Sequence, residues 1–445
     1  MAYQQGTRLP GENASKLGHL DILNSELVHN LVQQFEYPEI SDQDQSGTIW
    51  NEFDPQSAQP LRLIFSVDGS LQVLQSGQAP PRELCFVKTA LLRMDPVAIG
   101  KLDPDYPHPF ALKKLMAESA LYHATVFPLK NINIPNTNLY HAVRQIIFDS
   151  LRDPSFQGEP YETLKWLAYK KWLDIKTNSP AFACPHCGAE VETGLPFDAD
   201  RGPCTHCKEE ILLTDMIGFH LEMTDDAAPQ SLPSAYMLIH EILLLFTGIR
   251  HFWQNNRKLL SEALFIKDGP LYLRGQYSKL VPSIRAFLAF ARDKGYPVHI
   301  IGQEKSGAFF DHLSVISRYT LPKSASDLPR YAILSHQYVR AEVQRTPDLN
   351  NPYGKRTNYG EKVFVKLTPY HHMVLNIPTG EYNENKLFPN NTADFIGFDR
   401  IFATLPKLIS HRHEGALVPI ELAHGIASLS SYPSARILKV FAGID

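Results

Sequence analysis

Two pairs of cysteines constrain the fold of this chain more than any other feature of its sequence. Cys184 and Cys187 form one C-x2-C motif, and Cys204 and Cys207 form a second one after sixteen intervening residues. Each motif presents two thiolates to one point, and a hairpin between the motifs closes a tetrahedron around Zn²⁺. Redox cysteine motifs usually come singly, and disulfides are rare in a chain without an export signal. The spacing therefore predicts a zinc ribbon over residues 176–215, in which Zn²⁺ is structural because four cysteines leave no open coordination position.

The composition is that of a globular protein without a membrane segment. The 445 residues include 43 Lys and Arg against 47 Asp and Glu, and 44% are apolar. No run approaches the ~18 consecutive apolar residues of a membrane span, and the N-terminal sequence lacks a basic region followed by an apolar core. We therefore expect a cytoplasmic protein with no membrane partner. The formal charge of −4 does not exclude nucleic acid as a partner, because a basic groove can coexist with acidic surface elsewhere.

The sequence before the zinc ribbon is predicted to form an arm, the first part of a sheet and a helical insertion. A helical stretch within polar, turn-rich sequence makes residues 1–60 an N-terminal helical arm. Residues 61–95 read as an antiparallel meander, with two strands joined by a tight turn at Asp68-Gly69 and a third strand over 83–92. Apolar residues at spacings of three and four make residues 96–175 a helical insertion.

Residues 216–445 alternate helices and strands. A long apolar helix over 234–253 contains Glu241, and a buried strand over 262–268 ends at Asp268. The other predicted elements are a helix over 281–294, a strand over 297–302, a helix over 308–316, strands over 330–334 and 362–377, and helices over 392–408, 419–430 and 433–441. We expect these elements to complete the sheet that residues 61–95 begin.

Three carboxylates occupy positions in this order of elements that suit divalent cations. Asp68 and Asp268 each end an apolar run before a glycine, and Glu241 lies in an otherwise apolar helix. Phosphodiester hydrolysis commonly uses two cations ~3.5–4 Å apart, and carboxylate oxygens suit Mg²⁺ or Mn²⁺. Each Asp-Gly pair alone is more often a turn. The three carboxylates and the order of strands and helices together predict an α/β fold with a ribonuclease H-like mixed sheet and flanking helices. The four cysteines add an inserted zinc-ribbon module to this fold.

Short motifs around these carboxylates resemble the NurA family of DNA nucleases. The motifs are Ser66–Ser70, Phe86–Met94, Phe265–Leu271, Ile301–Ser306 and Val418–His424. The resemblance implies an RNase H-like core, Mn²⁺-dependent exonuclease and single-strand endonuclease activity, and a homodimer with a central DNA channel. It also implies a partner, the hexameric HerA-type DNA-translocating ATPase, in DNA end processing. The sequence leaves open whether that role serves repair or anti-phage defence.

The resemblance also implies roles for individual residues. Asp68 and Asp268 are similar to metal ligands of the family. Glu241 is the candidate for the carboxylate on the helix, and Glu262 is the alternative because it is closer to Asp268 in sequence. Lys305 is similar to a family lysine whose ammonium holds the scissile phosphate, although a solvated lysine at a helix start has the same appearance. His424 is similar to a C-terminal histidine that contacts metal or phosphate, while a lone histidine on an apolar helix is more often structural.

Departures from the family pattern leave other functions open. A tyrosine expected about two turns before His424 is replaced by Gly415–Leu417, and Tyr359 is an unsupported substitute. The simplest family members lack the insertion of residues 96–230 in this form. One alternative is a catalytically silent RNase H-like adaptor that regulates or anchors the ATPase, and another is a zinc-ribbon nucleic-acid-binding protein. Basic and aromatic residues alternate over 353–362, which suits a loop over a DNA channel or a solvated loop.

Overall fold

The computed structural model describes most of the chain in two units. The described residues are 22–34, 49–94, 120–224, 228–317, 328–346, 350–368, 371–410, 415–429 and 434–444. One unit covers residues 1–45, and the other covers residues 46–445. The described part of the first unit contains helix α1 (Glu26–Gln33), in which the side chain of the N-cap Ser25 accepts a hydrogen bond from the Val28 amide.

The second unit contains all the described strands and the remaining described helices. The strands are β1 (Asn51–Glu52), β2 (Leu63–Gln75), β3 (Glu83–Met94), β4 (Ala120–Lys130), β5 (Phe182–Ala183), β6 (Glu190–Val191), β7 (Arg201–Pro203), β8 (Glu210–Leu212), β9 (Ala263–Asp268), β10 (His299–Glu304), β11 (Arg330–Ile333), β12 (Glu361–Thr368) and β13 (His371–Ile377). The helices are α2 (Leu139–Leu151), α3 (Glu159–Ala168), α4 (Ser231–Asn255), α5 (Arg257–Leu260), α6 (Val281–Asp293), α7 (Ala308–Ile316), α8 (His336–Tyr338), α9 (Phe398–Thr404), α10 (Val418–Ala427) and α11 (Ser434–Ala442).

Nine strands form one mixed sheet in the order β1-β11-β12-β13-β10-β9-β2-β3-β4. β2, β3 and β4 are an antiparallel meander, while β9 runs parallel to β2 and β10 runs parallel to β9. The register places Val67 beside Lys267 and Asp268 beside Gln303. Asp68 follows Val67 directly, so Asp68 and Asp268 lie at the same level of neighbouring parallel strands. The predicted mixed α/β sheet with flanking helices is therefore confirmed.

Helices cover both faces of this sheet. Val67 packs into one core together with α4, whereas Ile64 on the same strand packs with α10 on the other face. Successive side chains of a strand point to opposite faces. Asp68 and Asp268 therefore point toward the α10 face, and Lys267 points toward the α4 face.

The predicted turn at Asp68-Gly69 does not form, because β2 continues through it. Gly69 is paired with Thr89 of β3 inside the ladder. A Cβ atom at position 69 would lie 2.5 Å from Cγ of Met237 on α4. The glycine is therefore required by the close approach of a helix to the strand, not by a turn. The two strands predicted on either side of the turn are one strand.

The first described element of the predicted helical insertion of residues 96–175 is a strand, β4. It completes the meander that β2 and β3 begin. Residues 95–119 lie outside the described residues, and β4 pairs with β3 along its length. Tyr122 and Val126 are of the aromatic and β-branched types that strands favour. Pro128 is tolerated because β4 is at the edge of the described sheet. In the described part of the insertion, residues 120–175, helices begin with α2.

The predicted arm of residues 1–60 also differs from the structure in its last part. Residues 51–52 form β1 and pair with β11. The Phe53 ring contacts Phe398 and Phe402 in the core on the α10 face. The sheet-bearing unit therefore begins before residue 60, because an apolar side chain anchors this segment.

Helix α4 is long and apolar enough to cross a membrane, yet it is a core helix. Of its apolar segment, 78% is buried inside the protein. Leu243, Leu244 and Leu245 are fully buried in the core that contains Val67. A helix that is hydrophobic on all sides and enclosed by other elements is the centre of a large core.

Candidate active site and metal centre

The four predicted zinc ligands come together at one point. The Sγ atoms of Cys184 and Cys207 are 3.8 Å apart, those of Cys187 and Cys204 are 3.9 Å apart, and all four lie within 4.8 Å of one another. A tetrahedron with Zn–S bonds of ~2.3 Å has edges of ~3.8 Å. The four thiols therefore fit Zn²⁺, and the hairpins β5–β6 and β7–β8 hold the two motifs.

The cysteine cluster is built into the main core of the second unit. Cys184 and Cys204 are buried and belong to the same core as α4. Arg144 of α2 donates two hydrogen bonds to Asp215, from Nε to Oδ1 at 2.9 Å and from Nη2 to Oδ2 at 2.8 Å. Both side chains are buried, and a bidentate pair of this kind fixes the orientation of the module. A zinc ion here would stabilise the core and would leave no position open for a substrate.

Asp68 is the enclosed member of the predicted metal site on the α10 face. Its side chain is 8% exposed. Oδ1 accepts a hydrogen bond from the Gly69 amide at 2.8 Å, and Oδ2 contacts Nδ1 of His424 at 2.8 Å. Burial and then the negative charge of Asp268 raise the pKa of Asp68, against the opposing effect of those two hydrogen bonds. A nearby cation would relieve both causes of the increase.

Asp268 and Lys305 form the open part of the same site. Nζ of Lys305 lies 3.2 Å from Oδ2 of Asp268, and the two side chains are 40% and 28% exposed, respectively. Asp268 ends β9, and Lys305 directly follows the neighbouring strand β10. An ion pair this exposed contributes little to stability. Its ammonium can therefore exchange the carboxylate for a phosphate that approaches the edge of the sheet.

The imidazole of His424 is oriented by Asp68. Because Nδ1 faces the carboxylate, Nδ1 donates the hydrogen bond, and the neutral form of the ring has its lone pair at Nε2. The side chain is 61% exposed. The Nε2 atom can therefore exchange a proton with a molecule at the edge of the sheet, or coordinate a cation.

Three buried oxygen atoms on the elements of this site were not predicted from the sequence. They are the hydroxyl of Ser66, Oε1 of Gln303 and Oε1 of Glu421, and none has a hydrogen-bond partner among the described residues. Gln303 is next to Asp268 across the β9–β10 ladder. Buried polar atoms in folded proteins are nearly always satisfied by protein, water or ions. The three atoms are therefore candidate hydrogen-bond partners or ligands for water, an ion or another polar group.

The alternation of the strands contained a signal for Gln303. Ile301 packs in the core on the α10 face, and the residue two positions later points the same way. A polar residue at that inward position of an apolar strand is unusual. Glu421 had no comparable signal, because one carboxylate in the first turn of a helix is common.

Glu241 lies on the other side of the sheet, paired with Lys267. Oε2 of Glu241 is 2.8 Å from Nζ of Lys267, and the side chains are 6% and 2% exposed. Burial raises the pKa of Glu241 to about 7, with the Lys267 ammonium opposing this increase and the charges of Asp68 and Asp268 adding to it. The three carboxylates therefore interact electrostatically, but Glu241 approaches the edge from the α4 face.

Glu262, the alternative to Glu241, lies at the other end of β9. Its carboxylate accepts hydrogen bonds from Nη1 and Nη2 of Arg400 at 3.0 and 2.8 Å. These bonds hold the pKa of Glu262 below its usual range. With a rise of ~3.3 Å per residue, the strand separates Glu262 from Asp268 by roughly 20 Å. The structure therefore keeps Glu262 away from the other carboxylates.

The predicted site residues divide into pairs and do not form a closed cluster. Within the described part of the chain, only the four cysteines bring three or more ligand atoms within 4.8 Å of one another. Asp68 is paired with His424, and Asp268 with Lys305. Glu241 is the one predicted ligand that a buried ammonium neutralises.

The second half of the predicted DNA-channel loop at 353–362 is packed into the protein. Tyr359 and Lys362 are buried, and the Lys362 ammonium pairs with Glu304. Burial and the charge of Glu241 raise the pKa of Tyr359. The buried second half is therefore neither a loop over a DNA channel nor a solvated loop. Tyr359 lies near Glu241 and therefore does not replace the tyrosine expected beside His424.

No protein-family model and no curated protein matches this sequence. Among solved structures, the chain is similar to the NurA nuclease from Sulfolobus solfataricus, with 11% identity, a TM-score of 0.35, and coverage of 96% of this chain and 95% of that one. It is also similar to a second solved NurA structure, with 10% identity, a TM-score of 0.32, and coverage of 96% and 97%. Because these TM-scores are low, the function proposed below rests on the side chains of the site.

Proposed function

We propose that this protein is a metal-dependent DNA nuclease with a ribonuclease H-like core. The observation that carries the proposal is the meeting of four residues from distant parts of the chain at one edge of the sheet. Asp68 contacts His424 at 2.8 Å, and Asp268 contacts Lys305 at 3.2 Å. The meander of β2, β3 and β4, joined in parallel by β9, supports the ribonuclease H-like part of the proposal.

The oxygen atoms at this edge fit a hard divalent cation. Asp68 and Asp268 are neighbours on parallel strands, and Gln303 adds a buried neutral oxygen without a partner among the described residues. Donor sets made of oxygen suit Mg²⁺ and Mn²⁺. The chemistry that such a cation supplies, when bound, is Lewis-acid activation of the phosphodiester and of a water molecule.

The residues of the chain provide the remaining functions of a phosphodiesterase. Lys305 binds a phosphate oxygen of the substrate with its exposed ammonium. His424, held by Asp68 through Nδ1, exchanges a proton at Nε2 with the attacking water or the leaving oxygen. The open side of the site, formed by Lys305 and His424, is where the nucleic-acid strand enters.

The proposal includes the partners that the sequence motifs imply. The substrate is DNA, the active form is a homodimer, and a HerA-type hexameric ATPase delivers the DNA during end processing in repair or anti-phage defence. These partners rest on the resemblance of the motifs around Asp68, Asp268 and His424. The zinc ion has a structural role only.

A cleavage assay tests the proposal. Linear double-stranded and single-stranded DNA are incubated with Mn²⁺ or Mg²⁺, with and without the cognate ATPase and ATP, and the wild type is compared with Asp68→Asn and His424→Gln. We expect metal-dependent degradation by the wild type, none by Asp68→Asn, and a loss of about 100-fold or more for His424→Gln. Equal cleavage by wild type and Asp68→Asn would refute the proposed site.

The alternative function is a catalytically silent adaptor of the ATPase. The observation that favours it is the buried ion pair of Glu241 with Lys267, which occupies one of the three predicted metal ligands. An adaptor would bind the ATPase and change its DNA-dependent ATP hydrolysis, while DNA remained intact under all metal conditions. The same assay therefore separates the two functions.

A further inference from the structure

Lys267 and Glu241 form a buried ion pair on the α4 face of the sheet, opposite the face toward which Asp68 and Asp268 point. Nζ of Lys267 lies 2.8 Å from Oε2 of Glu241 and donates a hydrogen bond to the main-chain carbonyl of Asp268 at 2.6 Å. Both side chains are almost fully buried. Ala263 and Phe265, the residues of β9 that point to the same face, are apolar. A lysine at this position is therefore an exception to the pattern of its own strand.

The two oxygens of the buried Glu241 carboxylate have different surroundings. Oε2 is engaged by the Lys267 ammonium. Oε1 lies 2.7 Å from the position that a Cβ atom on Gly69 would occupy, so it packs against the main chain of β2. A divalent cation on Glu241 would also stand beside a fixed ammonium, and like charges repel strongly in a buried site. The Glu241 side of the edge therefore does not fit a second metal ion.

We propose that Lys267 takes the place of a second divalent cation, so that the site binds one divalent ion through Asp68 and Asp268. The Lys267 side chain contacts both the Glu241 carboxylate and the main-chain carbonyl of Asp268, so it fills the place that a second cation would need. Glu241 is then a positioning residue that holds Lys267, and it does not ligate metal. This inference rests on the proposed function, because it concerns the number of cations in the proposed site.

The number of bound Mn²⁺ ions tests this proposal without any activity measurement. Free Mn²⁺ is counted by electron paramagnetic resonance in titrations of the zinc-loaded full chain. We expect one bound Mn²⁺ per chain for the wild type and none for Asp68→Asn. Glu241→Gln retains the hydrogen-bond acceptor for Lys267, so we expect one ion with a Kd within about threefold of the wild type. Lys267→Met frees Glu241, so we expect two ions.

Each contrary result overturns the proposal. Two Mn²⁺ ions bound to the wild type, loss of the ion in Glu241→Gln, or a single ion in a folded Lys267→Met would each show that Lys267 does not replace a cation. The double variant Lys267→Met/Glu241→Gln carries no charge at either of these two positions and serves as the folding control, with one expected ion. If Lys267→Met does not fold, the Glu241→Gln titration still decides between a ligand and a positioning residue.

Failure of the inference is distinguishable from failure of the proposed function. A wild type that cleaves DNA and binds two Mn²⁺ ions would keep the nuclease and reject the role of Lys267. A wild type that binds no Mn²⁺ and cleaves no DNA would reject the nuclease itself.

Discussion

Two buried carboxylates of this protein have different partners, and the partner determines what each can do. Asp68 shares its second oxygen with the imidazole of His424, which is 61% exposed, so no buried ammonium faces this carboxylate. Glu241 faces an ammonium at 2.8 Å, so its charge is already balanced. Burial raises the pKa of both groups, and for Glu241 the value reaches about 7. The same functional group, a carboxylate, is therefore open to a cation at Asp68, in the proposed site, and held in an ion pair at Glu241.

The raised pKa of Glu241 predicts a stability that falls with increasing pH. Its ordinary pKa is 4.5 and its folded-state value is about 7. The folded chain therefore holds the proton more tightly than the unfolded chain. This contribution is fully present below the ordinary value and is lost as the pH rises through about 7.

Urea unfolding at two pH values measures this loss. Between pH ~5.5 and ~8, we expect the wild type to lose about 2 kcal/mol more unfolding free energy than Lys267→Met/Glu241→Gln, which has no titrating group at this position. The zinc site is the same in both proteins and cancels in the comparison. If the unfolding free energies of the two proteins changed equally with pH, the raised pKa of Glu241 would be contradicted.

At the scale of elements, the sequence predicted helices and later strands well and failed in the meander. Apolar periodicity located α4, α6, α7 and α10, and apolar runs located β9, β10 and β11 and, as a single piece, the segment that forms β12 and β13. Asp68-Gly69 has the letters of a turn, but the close packing of α4 against Gly69 makes it part of a strand. β4 was missed although Tyr122 and Val126 are residue types that strands favour, and it pairs with β3 along its length. The error at Asp68-Gly69 arises because a tertiary contact overrides a local preference.

The close contact of α4 with Gly69, which the sequence did not predict, suggests a test of how α4 packs on the sheet. A Cβ atom at position 69 would lie 2.5 Å from Met237 and 2.7 Å from Glu241, whereas one at Gly77 would contact nothing within 4 Å. We expect Gly69→Ala to lower the unfolding free energy by about 1–3 kcal/mol through overpacking. Gly77→Ala, in the connection between β2 and β3, is the matched control with little change. Equal stabilities of the two variants would mean that the helix does not approach the strand this closely.

At the scale of the whole molecule, the site and the zinc cluster belong to one unit. The candidate site could be predicted in part, because Asp68, Asp268, Lys305 and His424 were found by motif, and the structure brings them to one edge. The partners of these residues could not be predicted. Which charge faces Glu241 depends on the register of β2 and β9, and a spacing along the chain does not encode that register.

The shared core predicts that loss of zinc destabilises the whole sheet-bearing unit. Cys184 and Cys204 are buried in the same core as α4. We expect Cys204→Ser to lose its zinc, measured by elemental analysis, and to unfold at a lower temperature in a single transition. Cys85→Ala, at the fifth cysteine, is expected to keep one zinc ion per chain. Retention of zinc by Cys204→Ser would contradict the ligand prediction. Separate melting of a small domain would contradict the shared core.

The most direct test of the central claim compares two carboxylates on one strand. Asp268 ends β9 in the proposed site, and Glu262 precedes the same strand at its opposite end, bound to Arg400. Single-turnover cleavage of end-labelled linear DNA with Mn²⁺ is measured for Asp268→Asn and Glu262→Gln. We predict no detectable cleavage by Asp268→Asn and a wild-type rate for Glu262→Gln. Cleavage by Asp268→Asn at the wild-type rate would show that the nuclease site is not at this edge of the sheet.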